Sequence, residues 1–139
     1  MNRRPFAFLC VSLLAFAALA CSDEPERARC SECGMFITAE SDWTVRSVRE
    51  SGDTEYDAPK CAFRAEGSAA ALRFMEYYGS GSQGGSALRF VVESDVQGPM
   101  GIDLVPVAPD RVEHFIADHG GRSVEFEAVD AALLESLRP

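Results

Sequence analysis

The fold is decided by residues 54–67, TEYDAPKCAFRAEG. The first four of them predict a strand that returns from a hairpin turn at 51–53. Pro59 suits the first turn of a helix, where its fixed φ fits and its missing N–H costs nothing. Gly67 is the kind of residue at which a helix ends. The stretch therefore predicts a strand followed at once by a short helix over 60–66.

The neighbouring residues extend this strand and helix into a larger unit. Residues 43–49, WTVRSVR, alternate apolar and polar side chains, which is the period of a half-buried strand. Residues 72–78 follow helix-favouring alanines, but their aromatic side chains favour a strand. The order strand, strand, helix, strand predicts a first β-β-α-β unit over 30–78. A run of glycine and serine at 79–85 predicts a boundary after it.

The second half of the chain repeats this order. A second Ala-Pro pair, at 108–109, opens a helix that ends at Gly120-Gly121. The apolar face of this helix is formed by Val112, Phe115 and Ile116, which have helical spacing. The other predicted elements are strands at 87–92, 102–107 and 124–126 and a C-terminal helix at 128–137.

These elements predict an α+β fold made of two small β-β-α-β units and a C-terminal helix. The first unit spans 30–78, and the second spans 86–139 together with the helix. A unit of about 50 residues buries little apolar core alone, so we expect the two units to pack together.

The N-terminus predicts export and lipidation. Arg3 and Arg4 precede an uncharged apolar run at 6–20, which is too short for a membrane span but has the order of a secretory signal. The run ends in small residues directly before Cys21. This pattern predicts a lipoprotein signal peptide at 1–20, with Cys21 as the lipidated residue and 21–29 as a tether. The expected location is extracytoplasmic, on the periplasmic side of a membrane, and Ser22 favours the outer membrane.

The charge of the chain excludes several classes of partner. The formal charge is -9, and removal of the two N-terminal arginines would shift it by two units to -11. Such an acidic chain would be repelled by the phosphates of nucleic acids. It would equally be repelled by anionic lipid, so we expect membrane contact to depend on the Cys21 anchor.

The cysteines are concentrated near the start of the predicted domain. Residues 29–36 read RCSECGMF and place Cys30, Cys33 and Met35 within six positions. With Cys21 lipidated and Cys10 removed with the signal, the domain retains Cys30, Cys33 and Cys61. Three thiols cannot all pair within one chain, which argues against a pure disulfide scaffold.

Two familiar uses of closely spaced cysteines fit this sequence incompletely. A thiol–disulfide redox protein would place Cys30 and Cys33 at the start of a helix, but no convincing helix follows them. A structural zinc site would need further ligands, and His114 and His119 have nearly the usual spacing. Both histidines are also explained by their positions on the predicted helix at 109–119. Both readings stay open as alternatives.

A site for Cu(I) uses the methionines as well. Thiolate and thioether sulfur are soft donors, a combination that selects Cu(I) over hard cations. Met35 lies two residues after Cys33, which on an extended backbone would put both side chains on one face. Met100 lies in the turn Gly98-Pro99-Met100-Gly101, a poor place for a core residue. Met75, by contrast, lies in an apolar strand and is expected in the core.

At Cys30-Ser31-Glu32-Cys33-Gly34-Met35 and Pro99-Met100-Gly101 the sequence resembles the NosL family, lipoproteins that accompany nitrous oxide reductase and handle Cu(I). The similarity extends over nearly the whole mature chain. It also includes Tyr56-Asp57, Lys60-Cys61, Glu76-Tyr77-Tyr78, Ser94-Asp95, Leu104-Val105-Pro106 and Gly120-Gly121. The resemblance implies two β-β-α-β halves, which agrees with the repeat described above.

The resemblance also implies a set of ligands. Cys33, Met35 and Met100 match the family's sulfur positions, and Cys30 matches a less constant position. Whether Cys61 or the histidines His114 and His119 join the metal site is left open.

The resulting prediction is a lipid-anchored Cu(I)-binding accessory protein, not an enzyme. It would deliver copper to nitrous oxide reductase or a similar extracytoplasmic cuproenzyme, or to the assembly transporter of that enzyme. A thiol–disulfide redox protein and a zinc-stabilised structural lipoprotein are the alternatives.

Overall fold

The computed structural model describes residues 27–38, 41–68 and 71–137. The predicted signal peptide, the lipidated Cys21 and most of the tether lie outside the described residues. Within the described part of the chain, every helix is too short or too polar to cross a membrane.

The first unit forms a four-stranded antiparallel sheet with one helix. Its elements are β1 (Val45–Ser47), β2 (Thr54–Tyr56), α1 (Pro59–Glu66), β3 (Leu72–Met75) and β4 (Ser82–Gly84). The strand order is β2-β1-β3-β4. As predicted, Pro59 begins α1 and Gly67 ends it with a φ of 68°, a conformation that favours glycine.

The second unit repeats the arrangement with a short hairpin inserted. Its elements are β5 (Arg89–Val92), β6 (Gln97–Gly98), β7 (Gly101–Ile102), β8 (Val105–Val107), α2 (Val112–His119), β9 (Arg122–Glu125) and α3 (Ala131–Ser136). The main sheet has the order β8-β5-β9, and β6 pairs with β7. In both units the first strand is central in the main sheet, the strand before the helix (β2 or β8) lies on one side of it, and the strand after the helix (β3 or β9) lies on the other. The predicted fold class is therefore confirmed.

The structure differs from the prediction at the ends of several elements. Residues 82–84 lie in the glycine-serine run predicted as a boundary, yet they form β4 and pair with β3. Strand β3 stops at Met75, before the aromatic residues that were expected to extend it. Helix α3 begins only at Ala131, because Asp130 caps its N-terminus by accepting from the backbone N–H of Leu133.

One apolar core joins the two units. Phe63 and Phe74 come from the first unit, Phe90 and Phe126 from the second, and their rings lie 4.8–6.2 Å apart. The same cluster of buried residues contains Cys30 and Cys61. The two units therefore pack together, as predicted, and two of the three thiols lie in their shared core. Met75, predicted as core, is half-buried.

The two glycines after α2 allow a prediction about packing. Both have positive φ, +72° for Gly120 and +89° for Gly121. A Cβ on Gly121 would lie 2.4 Å from the carbonyl oxygen of Val92, whereas one on Gly120 would meet nothing within 4 Å. We expect Gly121→Ala to lower the free energy of unfolding by about 2 kcal/mol more than Gly120→Ala. Urea unfolding measures the difference, and equal losses would show that backbone conformation alone decides the cost.

Candidate metal centre

Cys30 and Cys33 lie at the tip of a tight hairpin. Its backbone hydrogen bonds run from the N–H of Ile37 to the carbonyl of Ala28 and from the N–H of Cys30 to the carbonyl of Met35, both 2.8 Å. The N–H of Gly34 closes the turn onto the carbonyl of Cys30, also at 2.8 Å. The pair of cysteines therefore lies in a turn and not at the start of a helix.

This hairpin changes the relation between Cys33 and Met35. Gly34, between them, has a φ of 76°, the left-handed conformation that glycine adopts without strain. The two residues are thus not joined by the extended backbone that would put their side chains on one face. Cys33 is half-buried, whereas Met35 is 43% exposed.

The hairpin brings its thiols to the junction between β2 and α1. Asp57 directly follows β2, and Cys61 lies in the first turn of α1. The ligand atoms of Cys30, Cys33, Asp57 and Cys61 all lie within 4.8 Å of one another. Cys30 and Cys61 are 1% exposed and Asp57 is 4% exposed. The fold therefore assembles three thiols and one carboxyl group in a site that is largely closed to water.

The polar atoms of this cluster are incompletely paired. The Cys33 thiol donates to Oδ1 of Asp57 at 3.3 Å, but Oδ2 of Asp57 is buried and has no hydrogen-bond partner. Burial raises the pKa of Cys33 to about 11. Burial and the negative charge of Asp57 raise the pKa of Cys61 as well. A cation that replaced the thiol protons would compensate the charges that burial disfavours here.

These pKa directions also bear on the redox alternative. A catalytic thiol is activated by a lowered pKa, because the thiolate is the nucleophile. The pKa of Cys33 and that of Cys61 are both raised. A raised pKa disfavours the thiolate that would attack a disulfide, whereas a bound cation would itself lower the pKa of the thiols that it ligates.

Met100 lies in the turn between β6 and β7 and is 39% exposed, as the sequence predicts. The hairpin that carries it is held against α1 by Lys60. The backbone N–H of Lys60 donates to Oδ1 of Asp103 at 2.9 Å, and its ammonium group donates to the carbonyl of Ile102. Met100 is therefore carried by a hairpin that is attached to the residue next to Cys61. Convergence of Met35 and Met100 on Cys33 stays a prediction.

The two histidines make contacts of their own. His119 Nδ1 lies 2.9 Å from Oδ1 of Asp95, and its Nε2 lies 3.4 Å from the Tyr77 hydroxyl. The ring of His114 stacks on Tyr78 with their centroids 5.9 Å apart. Neither histidine belongs to the cluster of thiols, which is the one group of three or more potential His, Cys, Asp and Glu ligands in the described part of the chain.

Comparison with known proteins bears directly on the predicted resemblance. A sequence model of the NosL family matches residues 83–134, which lie almost wholly in the second unit. The fold is similar to the crystal structure of the copper chaperone NosL from Shewanella denitrificans, with a TM-score of 0.58 and 20% sequence identity over 76% of this chain and 91% of that chain. The resemblance to the NosL family is confirmed. No sequence among the curated proteins matches this NosL-like chain significantly.

Sequence reasoning identified Cys30 and Cys33 but missed one member of the cluster and left another open. The sequence points to Asp57 only through the resemblance to NosL, and it leaves the part of Cys61 open. The available signal was the spacing of four between Asp57 and Cys61 across Ala58-Pro59. A proline-initiated helix directly after a strand holds these two side chains at one junction.

Proposed function

We propose that this NosL-like protein is a Cu(I)-binding accessory protein, a metallochaperone that hands copper to an extracytoplasmic cuproenzyme. The observation that carries the proposal is the cluster of three thiols beside α1, which contains the two proposed thiol ligands, Cys30 and Cys33. Thiolates are the donors that best select a soft monovalent metal.

The proposed copper ligands are Cys33, Met35, Met100 and Cys30. Both thioethers are substantially exposed, 43% for Met35 and 39% for Met100, whereas Cys30 is buried. Copper would thus have sulfur donors in the protein interior and others at the surface. An incoming protein could add a ligand at the surface before the buried thiolates leave, which is how an open site permits transfer. Transfer of this kind requires no catalytic residues, so we propose that the protein is not an enzyme.

The location and the client belong to the same proposal. One solved structure with a similar fold is that of a copper chaperone. A lipid on Cys21 would hold the domain at the periplasmic side of a membrane, where copper enzymes are assembled. The proposed client is nitrous oxide reductase or a similar enzyme, or its assembly transporter.

Titration of the reduced protein with Cu(I) in the presence of a competing chelator tests the proposal. We expect one Cu(I) per chain. Cys33→Ser should weaken binding by about 100-fold and Met100→Leu by about 10-fold, since each removes one soft donor. Met75→Leu is the matched control, because Met75 is a half-buried methionine of β3 that is not a proposed ligand. Unchanged affinity in both Cys33→Ser and Met100→Leu would reject the proposed ligands.

A further inference from the structure

We infer that Lys60 is a positioning residue of the copper site, whose side chain holds the β6–β7 hairpin where the Met100 thioether can reach the cluster of thiols. This inference rests on the proposed function, because it explains how one proposed ligand is brought to the others. Lys60 acts through Met100 and is not itself proposed as a ligand.

The sequence uses lysine in an unusual way. The chain contains a single lysine, Lys60, and has arginine at every other strongly basic position. Lys60 is 2% exposed, although lysine is almost never fully buried unless it is paired. An ammonium group offers three donors from one point, whereas arginine presents a planar fork. The groups that Lys60 contacts should therefore explain why a lysine lies here.

The contacts of Lys60 join three segments that are distant in sequence. Its ammonium group donates to the carbonyl of Ile102 in β7 and, at 3.5 Å, to the carbonyl of Leu137, directly after α3. Its backbone N–H donates to Oδ1 of Asp103 at 2.9 Å. Lys60 itself lies in the first turn of α1, beside Cys61 of the cluster. It thus ties the hairpin and the end of α3 to the helix that carries one of the thiols.

The hairpin depends on such contacts because it is very short. Strands β6 and β7 contain two residues each, and even longer isolated hairpins are only marginally stable in water. On the β6 side it packs against the first unit, since a Cβ on Gly98 would lie 3.3 Å from the Trp43 ring. On the β7 side, the bond from Lys60 reaches Ile102, two residues after Met100. Without that bond the thioether would be held less firmly, and a ligand that must be ordered on binding contributes less affinity.

A double-mutant cycle on Cu(I) affinity tests the inference, with the reduced full-length protein and a competing chelator. Lys60→Met keeps an unbranched aliphatic chain and removes the ammonium donors. We expect Lys60→Met to weaken binding by about 10-fold, as Met100→Leu does, and the double variant to lose about 10-fold in total and not about 100-fold. Arg64→Met, which removes an exposed cation from the same helix, is the matched control and should stay within about twofold of the parent.

Two results of the cycle would overturn the inference. Additive losses would show that Lys60 supports the fold or the cluster of thiols and not the position of Met100. An unchanged affinity in Lys60→Met would show that the hairpin does not need the bond. In either case a weakened Met100→Leu would leave the proposed function standing. Unchanged affinity in Met100→Leu would instead reject Met100 as a ligand, and the inference with it.

The single lysine also permits a test that leaves Lys60 intact, which covers the case in which Lys60→Met does not fold. Protein labelled with isotopic lysine should give one ammonium resonance by NMR, in slow exchange with water because the group is buried and hydrogen-bonded. Saturation with Cu(I) should shift this resonance in the parent protein and shift it less in Met100→Leu, since only the bound thioether acts on β7. Equal shifts in the two proteins, or an ammonium group in rapid exchange, would overturn the inference.

Discussion

Asp103→Asn should gain stability relative to the parent protein as the pH rises from 4 to 7. The difference in unfolding free energy between the two proteins should shift by about 2 kcal/mol in favour of asparagine. Asp103 is 1% exposed, and burial raises its pKa from 3.8 to about 6, with the negative charge of Asp57 adding to the effect. Hydrogen bonds from two backbone N–H groups and the charge of Lys60 act in the opposite direction.

The sign follows from proton binding. Between pH 4 and 6 the folded protein holds a proton on Asp103 that the unfolded chain has lost, so stability falls as the pH rises through this range. Asparagine cannot ionise and escapes this loss. Its side-chain oxygen still accepts from the N–H groups of Lys60 and Leu104, which lie 2.9 and 2.8 Å from Oδ1 of Asp103.

Urea unfolding of both proteins with a metal chelator, at several values of pH, measures this shift. Glu66 and Glu76 have lowered pKa values and make the protein more stable as the pH rises, but they are present in both proteins and cancel in the difference. Parallel stability profiles for the two proteins would contradict the prediction.

The helices of the fold were predictable from the sequence because the residues that begin and end them act locally. Pro59 begins α1, Gly67 ends it, and Gly120 ends α2, each through its own backbone conformation. The elements that were missed are β4 and the β6–β7 hairpin, which contain three and two residues per strand and little apolar periodicity. Such short strands form because a neighbouring strand or turn supplies the hydrogen bonds, and a single segment of sequence does not show this.

The site was predictable only in part, because it is assembled from three segments. The spacing of Cys30 and Cys33 is visible in the sequence, and so is their chemistry. Asp57 joins them because the 28–37 hairpin packs against the end of β2, which is a tertiary contact. Met35 illustrates the same limit, since the turn at Gly34 alters its direction relative to Cys33.

Glu76 connects the two units through backbone hydrogen bonds. It is 2% exposed, and its carboxylate accepts from the N–H groups of Tyr78 at 3.0 Å, Ser80 at 3.1 Å and Ala108 at 3.2 Å. The first two bonds hold the turn after β3, and the third reaches Ala108, the residue directly after β8 in the second unit. Burial alone would raise the pKa of Glu76, but these N–H groups outweigh it and lower the pKa. The folded protein therefore favours the ionised carboxylate.

We expect Glu76→Ala to lower the free energy of unfolding by about 4 kcal/mol, since it leaves three backbone N–H groups without their acceptor. Glu76→Gln, which keeps one acceptor oxygen, should lose about half as much. Glu50→Ala, at an exposed turn, is the control and should change stability by less than about 0.5 kcal/mol.

Because the pKa of Glu76 is lowered, its contribution should fade as the pH drops below about 4, so Glu76→Ala and the parent protein should converge there. Urea unfolding at neutral and acidic pH measures both effects. An equal loss at every pH would show that the side chain stabilises the fold by packing and not through its charge.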